Sequence, residues 1–285
     1  MRTSEGLIRS ATVVGRRVRD GVVRGGHLFR RRRDRRIAPR GPRDEIPALV
    51  LAATLIAAAA AVVLLDPQVR GLVGGASGAW RGFLRTLTSY GEGVEILVAS
   101  AAILLLCLAV SADGLPRHIR AALVEIGFAA AFAFVSVAGS GLAASLIKNA
   151  LGRARPEHLS GTSVFELHPF AFTAKYAAFP SGHSTTAGAS AMVLALLFPA
   201  LRRWILLAGG LVAVSRILLD AHFPADVIAG FGFGAAVTLA AARALARRGL
   251  VFRHDATGRL APRRADRPAN WPEVLAALLA RARTR

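Results

Sequence analysis

The chain has 285 residues, of which 54% are hydrophobic, with a mean hydropathy of +0.46 and a formal net charge of +20. Soluble domains are roughly 45–50% apolar, so this composition excludes an ordinary water-soluble globule. Cys107 is the single cysteine, which excludes an internal disulfide.

Residues 1–45 form a basic arm with fourteen arginines, including the run Arg30 to Arg33. Leu7, Ile8, Val13, Val14, Val18, Val22, Leu28 and Phe29 are interleaved with them. Such a segment suits an anionic inner leaflet or a disordered arm about equally. The apolar stretch that follows is too long for a signal-peptide core. It is expected to remain as an anchor.

A membrane helix needs about 20 mostly apolar residues. Six stretches qualify: 46–65, 93–112, 121–147, 184–200, 204–220 and 225–246. Only Arg202 and Arg203 divide the fourth from the fifth. Glu95 and Glu125, in or near these spans, read as packing or interfacial groups. The expected organisation is a basic arm (1–45), an all-α six-helix transmembrane domain (46–246) and a basic tail (247–285). Within the tail, NWPEVLAALLARA (270–282) has the pattern of a short amphipathic helix capped by Asn270.

The positive charge has two readings, nucleic acid or topology. Ten arginines follow residue 246, and Arg117/Arg120 and Arg202/Arg203 mark short loops. With a cytoplasmic N-terminus, six spans put all of these clusters on the cytoplasmic side, as the positive-inside bias requires. Topology is the preferred reading, and no nucleic-acid partner is expected.

The same topology brings three polar clusters to the opposite, non-cytoplasmic face. Polar residues at such a level are costly unless they have a function. The first cluster is KNALGRARP, 148–156. On a continuing helix, Lys148 and Arg155 would share one face about two turns apart, with Arg153 off that face as an outer contact. Arg155 suits a fork onto phosphate oxygens and Lys148 a point charge. An ordinary basic helix end is the competing reading.

The second cluster is FPSGHSTTAG, 179–188. Pro180 suits a helix start, Ser181 and Gly182 leave backbone N–H groups free, and a helix start is an anion site. His183 would sit beside the anion. The third is SRILLDAHFPAD, 215–226, with Arg216 late in one span, His222 in the loop and Asp226 in the first turn of the next. Asp226 is placed to accept Nδ1–H of His222 and leave Nε2 free as a nucleophile. His and Asp at this spacing also suit a metal. However, Lys148, Arg155 and Arg216 would repel a cation and stabilise a phosphate. No metal and no cofactor are expected.

Together the clusters resemble the type 2 phosphatidic acid phosphatase family, whose pattern is Lys-x6-Arg-Pro, Pro-Ser-Gly-His and Ser-Arg-x5-His-x3-Asp. Lys148 to Pro156, Pro180 to His183 and Ser215 to Asp226 match at every position. The resemblance implies a helical bundle of the kind shared with vanadium-dependent haloperoxidases, and inhibition by vanadate. It implies His222 as the nucleophile forming a phosphohistidine, Asp226 as its orienting partner and His183 as the general acid. Lys148, Arg155, Arg216, Ser181 and the Gly182 amide would hold the phosphoryl oxygens.

The expected function is metal-independent hydrolysis of a lipid phosphate at the outer face of a bacterial inner membrane, with both termini cytoplasmic. The motifs read only phosphate. Phosphatidic acid, phosphatidylglycerol phosphate, a polyprenyl diphosphate and lipid A phosphates all fit. The alternative is a non-enzymatic protein that binds or transports an anionic lipid. Loop 157–179, with Phe165, His168, Phe170, Phe172 and Tyr176, reads as an interfacial aromatic belt in preference to a gate.

Overall fold

A computed structural model of the chain describes residues 12, 15–27, 30, 41, 43–69, 78–110, 115–159, 164–263 and 276. The expected helix at 270–282 lies outside the described residues, apart from the single helical position 276. Helix α1 covers residues 15–27, followed by α2 (Ile46–Leu64), a short α3 (Asp66–Val69), α4 (Gly78–Ser89), α5 (Val94–Ala109) and α6 (Arg117–Leu151). Then come α7 (Gly182–Leu197), α8 (Arg202–Leu218), α9 (Pro224–Arg247) and a hairpin of β1 (Phe252–His254) with β2 (Leu260–Pro262). The fold is all-α apart from that hairpin.

Each apolar run of the sequence has become a helix. Among the described residues, four segments are long and apolar enough to cross a membrane: Ile46–Leu64, Gly78–Ala109, Arg117–Leu151 and Pro224–Arg247. The second joins α4 and α5 through a 3₁₀ turn at Tyr90–Glu92. Helices α7 and α8 have 16 and 17 residues. At 1.5 Å per residue each is about 25 Å long, below the ~30 Å of a bilayer's hydrocarbon core. Of the six expected crossings, four meet the length requirement among the described residues: α2, α6, α9 and the joined α4–α5 segment. The outer faces of the bundle stay apolar, with Leu55, Ile56, Val63, Leu106, Leu142, Leu146 and Leu211 exposed.

Helix α7 lies at the centre and is mostly buried. It packs on α6, α8 and α9. Small residues permit the close approach to α9: a Cβ on Gly188 would strike the Phe231 carbonyl, and one on Gly234 the Thr185 carbonyl. Helix pairs in membranes associate through such small-residue contacts, because lipid supplies no hydrophobic drive between helices.

Beyond α9 the chain turns back under the bundle. Leu250, Phe252 and Leu260 are buried there. Phe252 meets Phe132 of α6 edge-on, with ring centroids 5.0 Å apart, a geometry worth about 0.5–1.5 kcal/mol beyond its area. The first part of the expected tail is therefore part of the packed core. At the same end α1 crosses α5, and a side chain on Gly21 would collide with the Leu108 backbone.

Candidate active site

Helix α6 ends where Gly152 takes the left-handed conformation (φ 64°) and caps the Lys148 carbonyl. A helix that stops here cannot carry Arg155 on the face of Lys148, contrary to the expectation of a continuing helix. Residues 153–155 run extended instead. Loop 164–178 is stitched to them by Ala154 N–H to Glu166 O (2.9 Å), Arg155 N–H to Lys175 O (3.0 Å) and Ala178 N–H to Arg153 O (3.0 Å).

Lys148 and Arg155 nevertheless converge. The Lys148 ammonium sits over Gly182: a Cβ at Gly182 would lie 2.8 Å from Lys148 Nζ. Glycine at this position lets the cation rest against the start of α7. Arg155 and Arg216 are near enough to Lys148 to repel it. Arg216 donates Nη1–H to Thr88 Oγ1 (3.3 Å). The Nε atoms of Arg155 and Arg216 are buried with no partner among the described residues. Three like charges with unspent donors form a site for an anion with several oxygens.

Ser181 caps α7. Its Oγ accepts from Ser184 N–H (3.4 Å) and Ser184 Oγ–H (3.0 Å), and its own N–H donates to the Asp226 carbonyl (3.0 Å). That last bond fixes the start of α7 to the start of α9. His183, in the next turn, faces Glu92 with Nε2 3.6 Å from Oε1. Thr186 Oγ1–H donates to the Gly91 carbonyl and so anchors the turn that carries Glu92.

His222 is buried in the turn before α9, its Nδ1 3.5 Å from Asp226 Oδ2. That is ion-pair range, longer than a hydrogen bond. Burial pushes the His222 imidazole below the ordinary histidine range, against the upward pull of Asp226. The ring is therefore neutral at pH 7. With Nδ1 turned to the carboxylate, Nε2 lies on the far side of the ring. Arg216, Arg155 and His183 all lie within electrostatic reach of it. The eight expected site residues, drawn from the three motifs, thus gather at one end of the bundle.

Arg153 is not an outer contact. It is fully buried and bonds Asp226 Oδ1 (2.6 Å) and Asp66 Oδ2 (2.7 Å). Asp66 and Glu92 are two further acidic residues at the site that the sequence reading missed. Asp66 follows an apolar run and looks like a surface cap, and only its position directly after a span hinted otherwise. Among the described residues, no cluster of three or more His, Cys, Asp or Glu is arranged to hold a metal. Phe170 and Phe172 project from the loop beside this end.

Residues 129–250, from within α6 to just past α9, match the PAP2 superfamily model. This part of the chain is homologous to the PAP2 superfamily. The matched region holds all three motifs of the site, and Asp66 lies before it. Two curated relatives are named lipid A 1-phosphatase, from Rhizobium johnstonii and Rhizobium etli. Each is 41% identical over 134 residues, 47% of this chain and 55% and 58% of theirs. The chain thus spans little more than half the length of these relatives. A solved transmembrane PAP2 type phosphatidylglycerolphosphate phosphatase from Bacillus subtilis is 21% identical, with a TM-score of 0.48, over 69% of this chain and 94% of that one.

Proposed function

We propose that the protein is a membrane phosphatase that removes phosphate from a lipid through a phosphohistidine on His222. One observation carries this reading: three separate segments place Lys148, Arg155 and Arg216 around the His222–Asp226 pair and His183. An anion-binding protein needs the cations alone. A buried neutral histidine backed by a carboxylate adds a nucleophile.

In the first step Nε2 of His222 attacks phosphorus and the bond to the lipid oxygen breaks. His183, protonated when the phosphate anion is bound beside it, gives its proton to that oxygen, and Asp226 balances the charge gained by the His222 ring. Water then attacks the phosphohistidine, passing its proton to His183 as the P–N bond breaks and inorganic phosphate leaves. The three cations stabilise the equatorial oxygens throughout, the part metal ions take in other phosphoryl transfers. The reaction is proposed to be metal-independent and open to inhibition by vanadate.

The site is placed on the extracytoplasmic face, because the arginine-rich segments favour the cytoplasm. Six crossings are retained. The PSGH turn before α7 and the 3₁₀ turn Pro199–Leu201 after it extend the shorter helices toward the interfaces. Lipid A 1-phosphate leads the substrate candidates on the names of the relatives, followed by phosphatidylglycerol phosphate.

The deciding experiment measures phosphate release by purified protein in detergent with EDTA, across a panel of lipid phosphates, beside His222→Ala. Release that persists in EDTA and disappears in the variant, by at least about a thousandfold, is expected. Equal release by the variant would remove His222 as the nucleophile. No release from any lipid by folded protein would favour lipid binding or transport.

A further inference from the structure

Arg153 and Arg155 are two residues apart and do different work. Arg155 lies among the cations around His222, whereas Arg153 gives both of its Nη groups to the protein. Its Nη1–H bonds Asp226 Oδ1 (2.6 Å), and its Nη2 bonds Asp66 Oδ2 (2.7 Å) and the Val164 carbonyl (2.8 Å). The guanidinium lies 4.6 Å from the Phe223 ring centroid and 5.1 Å from that of Phe165. Arg153, Asp66 and Asp226 are all fully buried.

Asp66 does more than neutralise Arg153. Its Oδ1 accepts the Ala225 N–H (3.0 Å) in the first turn of α9. Asp226 is thereby held on both oxygens, Oδ1 by Arg153 and Oδ2 by the Phe223 N–H (2.9 Å). The Oδ2 side is the one that faces His222. An unclamped Asp226 would be free to rotate its carboxylate, and the His222 ring would lose its reference.

We propose that Asp66 and Arg153 are positioning residues, a buried carboxylate–guanidinium clamp that aims Asp226 at His222 and sets how strongly Asp226 attracts a proton to that ring. The proposal rests on the phosphohistidine reading for its catalytic consequence, but the clamp itself can be tested without activity. In a buried triad of two carboxylates and one guanidinium, removing one member leaves the others uncompensated. Neutralising Arg153 removes a cation close to Asp226, so the potential at His222 becomes more negative and its titration moves up. This holds whether or not the freed Asp66 takes up a proton. Neutralising Asp66 leaves Arg153 acting on Asp226 alone, so the titration moves down. The other charged groups facing His222 are Arg216 from α8, Arg155 from the segment after α6 and His183 from α7. Neither substitution touches them.

The test is NMR titration of ¹⁵N-histidine-labelled protein in detergent, with the His222 signal assigned through His222→Gln. Arg153→Gln is expected to raise the His222 midpoint by about one pH unit, and Asp66→Asn to lower it. In parallel, kcat for phosphate release should fall at least about tenfold in both variants, with KM within about threefold. Midpoints that do not move, or that move in the same direction, overturn the proposal. Should either variant fail to fold, Arg153→Lys decides, since it keeps the charge without the two-armed geometry: a wild-type kcat overturns the clamp and a reduced one supports it. If the wild type releases no phosphate from any lipid, the functional reading fails while the titration still decides the clamp.

Discussion

At the end of the bundle where α6 and α8 finish and α7 and α9 begin, charged side chains are buried or half-buried and face one another. At the opposite end Arg117, Arg120, Arg202 and Arg203 stand exposed, each beside a helix start. Both ends are basic in the sequence. They differ in how the charge is held: at the first end cations from separate segments converge, desolvated, on the His222–Asp226 pair, and at the other these four arginines stand exposed, Arg203 over the Trp204 ring. A cation at a helix end therefore says little by itself. Convergence of several, with desolvation, separates a chemical site from a topological signal.

This contrast can be broken most severely at Lys148. Lys148→Ala is expected to lower phosphate release about a hundredfold, the usual size of losing one electrostatic donor to a transition state. Vanadate inhibition should weaken with it. A loss under threefold would place Lys148 with the topological charges.

A smaller effect comes from pH. Because burial lowers the proton affinity of His222 in the fold, the unfolded chain binds that proton more readily. Its contribution to stability is complete above about pH 6.5 and declines as the pH falls below that value. Thermal melts from pH 8 to pH 5 should show this loss, and His222→Gln should flatten the slope. Activity should fall on the same acid side as the ring protonates. A melt that rises on acidification would contradict the neutral buried ring. The smallest effect is expected at the far end. Arg202→Ser with Arg203→Ser should change kcat/KM by less than about twofold in detergent, while shifting the balance of inserted orientations in membranes.

Helices α2 and α5 to α9 were legible because long apolar runs have few other fates, whereas the amphipathic α4 was not expected. Their bounds agree with the expected spans to within a few residues. The three motifs were legible because each couples a turn signal to residues of one chemistry. The fate of Arg153 was not, because its position depends on where α6 stops. Gly152 ends the helix one residue earlier, which takes Arg153 out of helical phase and turns it inward. Nor was Asp66 legible: its partners Arg153 and Ala225 are 87 and 159 residues away along the chain. No local pattern encodes such a pairing. The hairpin after α9 was masked by its arginines, which hid the alternation of Phe252 and Leu260 with polar neighbours.

The reach of Asp66 also bears on where a working unit begins. The region matched to the family starts at residue 129, and a fragment cut there would keep Arg153 and Asp226 but lack the carboxylate that joins them to the start of α9. It would also uncover the side of α9 on which α2 packs. The region matched to the family and the region that holds the site together thus differ, and any transplant of this site into another scaffold has to carry α2 and the short α3 behind it.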